Sequence, residues 1–205
     1  MIFMRRPVFA AVACLVTAGV ALAWFDYPLA RAVRELDLPV MGVVRVLSSI
    51  GNSAWVLIPL GLVLLLRLAG LLPRLREPWL SRCREAFWGI VATGLLADLI
   101  KGIVARPRPR LWLSEGVTDL RFFHWFDAAW ASMPSGHTVT AFTLACLVSR
   151  WWPWLTPHVF MVASGVALAR VALGAHYLSD VLASVALTFL CLAAIRAVSP
   201  APAKV

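Results

Sequence analysis

The stretch FWGIVATGLLADLIKGIVARPRPR, residues 87–110, marks this chain as one that crosses a membrane. It begins as an uncharged apolar run and ends in a crowd of charge: Asp98, Lys101, then Arg106, Arg108 and Arg110 alternating with prolines. About 20 such residues cross a bilayer as a helix. A charge inside a span costs about 2.5–3.5 kcal/mol on insertion scales, so charges kept at its end point to function. Asp98 and Lys101, three apart, can pair in helix geometry, where the carboxylate either orients the lysine or neutralises it.

The same apolar pattern recurs along the chain. With 61% hydrophobic residues in 205, the composition is outside that of an ordinary soluble domain. Six spans are predicted, at 7–25, 53–72, 86–105, 138–152, 157–173 and 177–195. The expected fold is therefore an all-α integral membrane protein, a bundle of six transmembrane helices. Arg5 and Arg6 ahead of an apolar run ending in ALA, residues 21–23, also resemble a secretory leader. More spans come after it rather than an exported domain, and 19 uncharged residues are long for a leader core, so the first span is expected to stay uncleaved. No second domain, repeat or low-complexity segment stands out. Residues 1–205 read as one membrane domain, with a disordered tail at about 198–205.

Charge sets the orientation. Six spans put both termini on one side with the loop at 73–85, which carries Arg74, Arg76, Arg82 and Arg84 just after Arg67. By the positive-inside rule that side is cytoplasmic. Ten Lys and Arg fall inside and nine outside, and setting aside Lys101, Arg108 and Arg170 leaves ten against six. The net charge of +9 thus needs no nucleic acid, and no nucleic-acid-binding motif accompanies it. Trp24, Trp55, Trp88, Trp151, Trp152 and Trp154 lie near predicted span ends and read as an interfacial aromatic belt. Cys14, Cys83, Cys146 and Cys191 show neither metal-ligand spacing nor a disulfide framework.

Antiparallel spans then bring three polar clusters to the outward, periplasmic face: KGIVARPRPR at 101–110, PSGH at 134–137 and RVALGAHYLSD at 170–180. Together they offer Lys, Arg, two His and one Asp, and no group of carboxylates. That inventory suits a phosphate ester, because cations can spread over the non-bridging oxygens of an in-line transition state. In PSGH, Pro134 suits a helix start and Ser135 can cap it. The free N–H groups around residues 135–137 would point at an anion, and Gly136 leaves the backbone open to it. Alone, the stretch is more often a plain helix cap. Its partners shift that balance. His176 and Asp180 are four apart and would share a helix face, Gly174 would stop the preceding helix, and Arg170 would lie in its last turn. A carboxylate bonded to one imidazole nitrogen fixes the tautomer and frees the other to attack, leaving His137 to protonate the departing oxygen. In isolation, His176 and Asp180 could equally be a polar pair that satisfies itself.

These clusters resemble the signature of the type 2 phosphatidic acid phosphatase family, membrane lipid phosphatases related to vanadium haloperoxidases. The pattern K-x(6)-R-P matches Lys101, Arg108 and Pro109; P-S-G-H matches residues 134–137; S-R-x(5)-H-x(3)-D matches Arg170, His176 and Asp180, with Ala169 in place of the serine. The likeness covers about 50–195. It implies a metal-independent hydrolase with no cofactor, in which His176 is the nucleophile, Asp180 orients it and His137 is the general acid. Lys101, Arg108 and Arg170, with backbone amides at Ser135 and Gly136, would hold the phosphoryl group, and vanadate would inhibit. Arg106 and Arg110 fall outside the spacing and read as headgroup contacts or surface charges. His124, among aromatics, reads as part of an interfacial segment or pocket rim, and His158 lies on the opposite side.

Short loops suit a lipid entering sideways from the outer leaflet. Undecaprenyl pyrophosphate, phosphatidylglycerophosphate, phosphatidic acid and lipid A are the candidate lipid phosphates, in a bacterial inner membrane. The same site could serve a lipid phosphotransferase, and the clusters could also belong to a non-catalytic binder of anionic lipids. The oligomeric state is not specified by these residues.

Overall fold

The computed structural model describes residues 2–35 and 40–198; the expected disordered tail lies, from residue 199 on, outside them. Among the described residues the chain is helical throughout, with no strand. Helix α1 (Ile2–Val20) passes through a widened turn at Ala21–Phe25 into α2 (Asp26–Glu35). There the Asp26 N–H reaches back five residues to the Ala21 carbonyl, an extra residue in the turn that re-aims α2. Asp26 is left buried. Next come α3 (Met41–Ile50), α4 (Ala54–Leu68), α5 (Glu77–Val104) and α6 (Pro109–Glu115). The chain ends in α7 (Gly136–Trp151), α8 (Thr156–Ala172) and α9 (Leu178–Val198).

Five segments are long and apolar enough to cross a membrane: Pro7–Glu35, Met41–Leu68, Glu77–Glu115, Pro153–Ala172 and Leu178–Ile195. The fourth predicted span is α7, which at 16 residues is shorter than these. The outward loop expected between the first two spans holds α2 and α3 instead, separated from α4 by a break at Gly51–Asn52–Ser53.

The bundle is built around α7, which packs against α5, α8, α9 and α3. Its inner residues are mostly small, and Phe142 meets Phe160 of α8 and Phe189 of α9 edge-on at 5.9 and 6.4 Å. Thr93 and Thr143 join their hydroxyls at 3.1 Å between α5 and α7. Outside, Trp55, Ile58, Leu65, Leu95 and Met161 stand exposed. Small and polar residues inside, with large apolar ones outside, is the arrangement a lipid solvent selects.

The tryptophan belt holds only in part. Trp24, Trp55, Trp88 and Trp154 are exposed, whereas the Trp151 indole donates to Glu85 at 2.9 Å beside the Glu85–Arg150 ion pair. Trp152 lies under the Arg82 guanidinium, 4.7 Å from its ring. Both therefore clamp α5 to α7 at the end carrying the basic loop.

Gly51 shows how tightly the other end closes. A Cβ there would come within 2.7 Å of Val166 Cγ1 and 2.8 Å of the His137 carbonyl oxygen. Gly51→Ala is expected to lower thermal stability in detergent by about 1–3 kcal/mol, read as a lower Tm, because a backbone atom of α7 would have to move.

Candidate active site

Four helix ends meet at one end of the bundle: the C-termini of α5 and α8 and the N-termini of α7 and α9. Helix α5 stops at Ala105, whose φ of 39° is left-handed and whose N–H caps the Lys101 carbonyl. The prolines then impose extended backbone on the residues before them, so Arg108 has ψ 157° before α6 opens on Pro109. This strand-like piece is clipped to the segment leading into α7. Ser132 N–H donates to the Arg106 carbonyl at 3.1 Å, and Arg108 N–H to that of Ala129 at 2.8 Å.

Ser135 is the residue before α7, and its side chain makes no cap hydrogen bond. Its N–H is committed to Ser184 Oγ at 2.7 Å. Two expectations are corrected here: Ser135 neither caps with its hydroxyl nor has a free amide to offer. What it does present is Oγ, which with Thr138 Oγ1, Arg108 Nε and Arg170 Nε is buried without a protein partner. Buried polar atoms are almost always bonded, so four at one helix start are consistent with a polar ligand. The first N–H groups of α7 from Gly136 on lack intrahelical acceptors by geometry. A Cβ on Gly136 would stand 3.3 Å from Lys101 Nζ, so the glycine lets the ammonium close on the helix start. Lys101 also donates to Asp98 at 2.6 Å, as its spacing predicts.

Helix α8 ends as expected on Gly174, with φ 59°. Gly174 N–H donates to Val171 and Ala175 N–H to the Arg170 carbonyl, a Schellman closure. Arg170 Nη1 donates to Ser48 Oγ of α3 at 2.9 Å. Ser48 thereby supplies a hydroxyl contact at a site where Ala169 replaces the family serine.

His176 lies in the turn before α9, not on the helix that carries Asp180. Its Nδ1 is 2.6 Å from the Ser132 carbonyl and 3.9 Å from Asp180 Oδ2. The direct bond expected from Asp180 is replaced by a relay. Asp180 Oδ2 accepts Ser132 Oγ–H at 2.6 Å and Tyr177 N–H at 2.8 Å, and the Ser132 backbone holds the imidazole. A carbonyl only accepts, so Nδ1 carries the proton and Nε2 is the free nitrogen. Burial holds the His176 imidazole well below its ordinary range, with the charges of Arg108 and Arg170 adding to the effect and the Ser132 bond opposing it. The ring is neutral at physiological pH. His137 lies within electrostatic reach of Arg170, Lys101 and Arg108. Lys101, Arg108, Ser135, Gly136, His137, Arg170, His176 and Asp180 are thus assembled around one point.

The position of Arg106 differs most from expectation. Instead of a surface charge it is 5% exposed, and it bridges Asp180 Oδ1 at 2.5 Å and Asp26 Oδ2 at 2.8 Å. Its guanidinium lies 4.2 Å from the Tyr177 ring centroid. Asp26, Ser48 and Ser132 are not legible in the sequence as site residues. The one available signal is Asp26 itself, a charge directly abutting an apolar span. His124 pairs with Asp127 at 3.4 Å in the aromatic loop, and His158 is exposed near the start of α8, at the far end. Among the described residues no three His, Cys, Asp or Glu side chains gather as a metal site.

An all-helical membrane protein with histidines and cations at a helix start is the class this fold and site define. The chain belongs to the PAP2 superfamily, whose family model matches residues 84–202. A lipid A 1-phosphatase of Rhizobium etli is 29% identical over 177 residues, covering 82% of this chain and 74% of that protein. Two solved structures share the fold. One is a PAP2 type phosphatidylglycerolphosphate phosphatase from Bacillus subtilis (TM-score 0.60, 23% identity, 94% of this chain and 97% of that one). The other is Aquifex aeolicus LpxE (TM-score 0.59, 22% identity, 83% and 93%).

Two measurements check this geometry. Nitrogen NMR of His-labelled protein should show His176 as the neutral Nδ1–H tautomer, protonating only below the ordinary histidine pKa of about 6.5; an Nε2–H tautomer would contradict the Ser132 bond. Arg106→Ala should cost about 3–5 kcal/mol in denaturation, since it leaves two buried carboxylates without their cation.

Proposed function

We propose that this membrane lipid phosphatase removes phosphate from a lipid at the periplasmic end of the bundle, through a phosphohistidine. The observation that carries the proposal is the meeting of a neutral His176, His137 and three cations at the start of α7. Nε2 of His176 attacks phosphorus in line with the lipid oxygen. A P–N bond forms as the P–O bond to the lipid breaks, and His137, having taken the proton that a phosphate monoanion brings with it, passes it to the departing oxygen. Water then attacks phosphorus, the P–N bond breaks, and inorganic phosphate leaves as the water proton returns to His137. The Nδ1–H bond to Ser132 supports the ring as it gains positive charge, and Asp180 acts through Ser132. Lys101, Arg108 and Arg170, with the Gly136 amide and the Ser135 hydroxyl, spread the phosphoryl charge. These cations take the charge-neutralising part, so the reaction needs no metal.

The orientation is supported by α5, which has Arg82 and Arg84 near its start and Lys101 near its end in 28 residues. At 1.5 Å per residue those ends are about 40 Å apart. With the basic loop cytoplasmic, the site faces the periplasm of a bacterial inner membrane. The Rhizobium etli relative makes the phosphate of lipid A the first substrate to try, ahead of undecaprenyl pyrophosphate, phosphatidylglycerophosphate and phosphatidic acid.

Purified protein in detergent with chelator should release phosphate from at least one of these lipids. His176→Ala is expected to lose roughly 10³-fold or more, and His137→Ala about 10²–10⁴-fold. Full activity in a folded His176→Ala sample would overturn the mechanism.

A further inference from the structure

Beside the catalytic site lies a second basic cleft of about 440 Å³ between α2, α3, α6 and the end of α8. Arg34, Arg45 and Arg110 line it, with Met41, Leu173 and Gly174 among its apolar walls. Among the described residues no carboxylate lines it, and none of the three guanidinium groups is ion-paired with another described residue. Arg34 is held in place by donating Nη1 to the Leu113 carbonyl at 3.0 Å. Like charges facing one cleft repel one another, and an anion reverses that cost. The carbonyls at the end of α8 do not supply the missing negative charge, because those of Arg170 and Val171 already accept Ala175 and Gly174 N–H.

The cleft lies next to the phosphoryl site in the chain and in its electrostatics. Arg110 is two residues from Arg108, and its charge acts on both Arg108 and Arg170. Arg45 precedes Ser48 by three residues on one face of α3, and Ser48 holds Arg170. Wall residues Leu173 and Gly174 lead directly into the His176 turn. The cleft and the phosphoryl site therefore adjoin the same helix ends, those of α8 and α6.

We infer that this cleft is a second anion subsite, taking a second phosphate group of the lipid whose first phosphate sits at His176. The inference rests on the lipid phosphatase proposal and narrows its substrate to lipids with two separate phosphate groups. The apolar walls suit the carbon skeleton between them. The same arginines could instead hold an anionic headgroup of the bilayer, so the test separates the two sources.

Two matched lipids, one with two phosphate monoesters and one with a single one, are compared in uncharged detergent. Binding is measured on a His176→Ala background and turnover on the unaltered protein. The two-phosphate lipid should bind roughly tenfold or more tightly, as a charge-assisted contact implies. Arg34→Gln/Arg45→Gln should abolish that advantage while leaving binding and turnover of the one-phosphate lipid unchanged. No advantage in the parent protein, or an advantage that survives the double substitution, overturns the subsite. In nanodiscs, loss of the advantage when phosphatidylglycerol replaces phosphatidylcholine assigns the cleft to bilayer headgroups and overturns the substrate assignment. A protein that keeps the binding advantage but releases phosphate from neither lipid refutes the phosphatase proposal and leaves the subsite standing.

Discussion

The site end of this protein depends on the burial of Arg106 between two carboxylates. Asp26 and Asp180 are almost inaccessible, and bringing ions out of water costs several kcal/mol each unless every carboxylate oxygen finds a donor. Here each does. Asp26 accepts from Arg106 and from the Ser179 amide and hydroxyl. Asp180 accepts from Arg106, Ser132 and the Tyr177 amide. The network ties the start of α2, the strand-like piece after α5, the segment before α7 and the start of α9 into one unit. Because Ser132 also holds His176, the imidazole's position is set by charges that never touch it.

Much of the site could be read in the sequence, since its chemistry is carried by side chains at fixed spacings. Lys101 and Arg108, Gly136 and His137, and Arg170 and His176 all meet as expected. The failures have a common physical origin. The partner of His176 is a backbone carbonyl, and a backbone group leaves no residue-type signal. Asp180 acts as the first-turn acid that caps Tyr177 N–H, a local role that displaces it from the imidazole. Asp26 lies 80 residues from Arg106, and only the widened turn at Ala21–Phe25 brings it inward. The membrane class is plain from apolar content, whereas α2 and α3 escape notice because each is only ten residues long and carries charge, too short to mark a span by itself.

Two environments exist side by side. One is the balanced interior of Arg106, where charge is matched and fixed. The other is the unbalanced set of Lys101, Arg108 and Arg170 around the histidines, where, among the described residues, only Lys101 has a carboxylate partner. A surplus of positive charge next to a buried imidazole is costly for the protein alone, a cost that an anion would offset. Ser48 and the strand-like clip carry that cost by holding Arg170 and Arg108 without neutralising them.

The brevity of α7 has an effect of its own. Sixteen residues rise about 24 Å, short of the roughly 30 Å of a hydrocarbon slab. A helix shorter than that slab begins its first amides near the headgroup level, among the ends of α5, α8 and α9. A phosphate borne by a lipid already resides near that depth and approaches in two dimensions. The freed alcohol, still anchored by its tails, remains in the leaflet while the small anion exits to water. A site at that level would let the two products part directly into different phases.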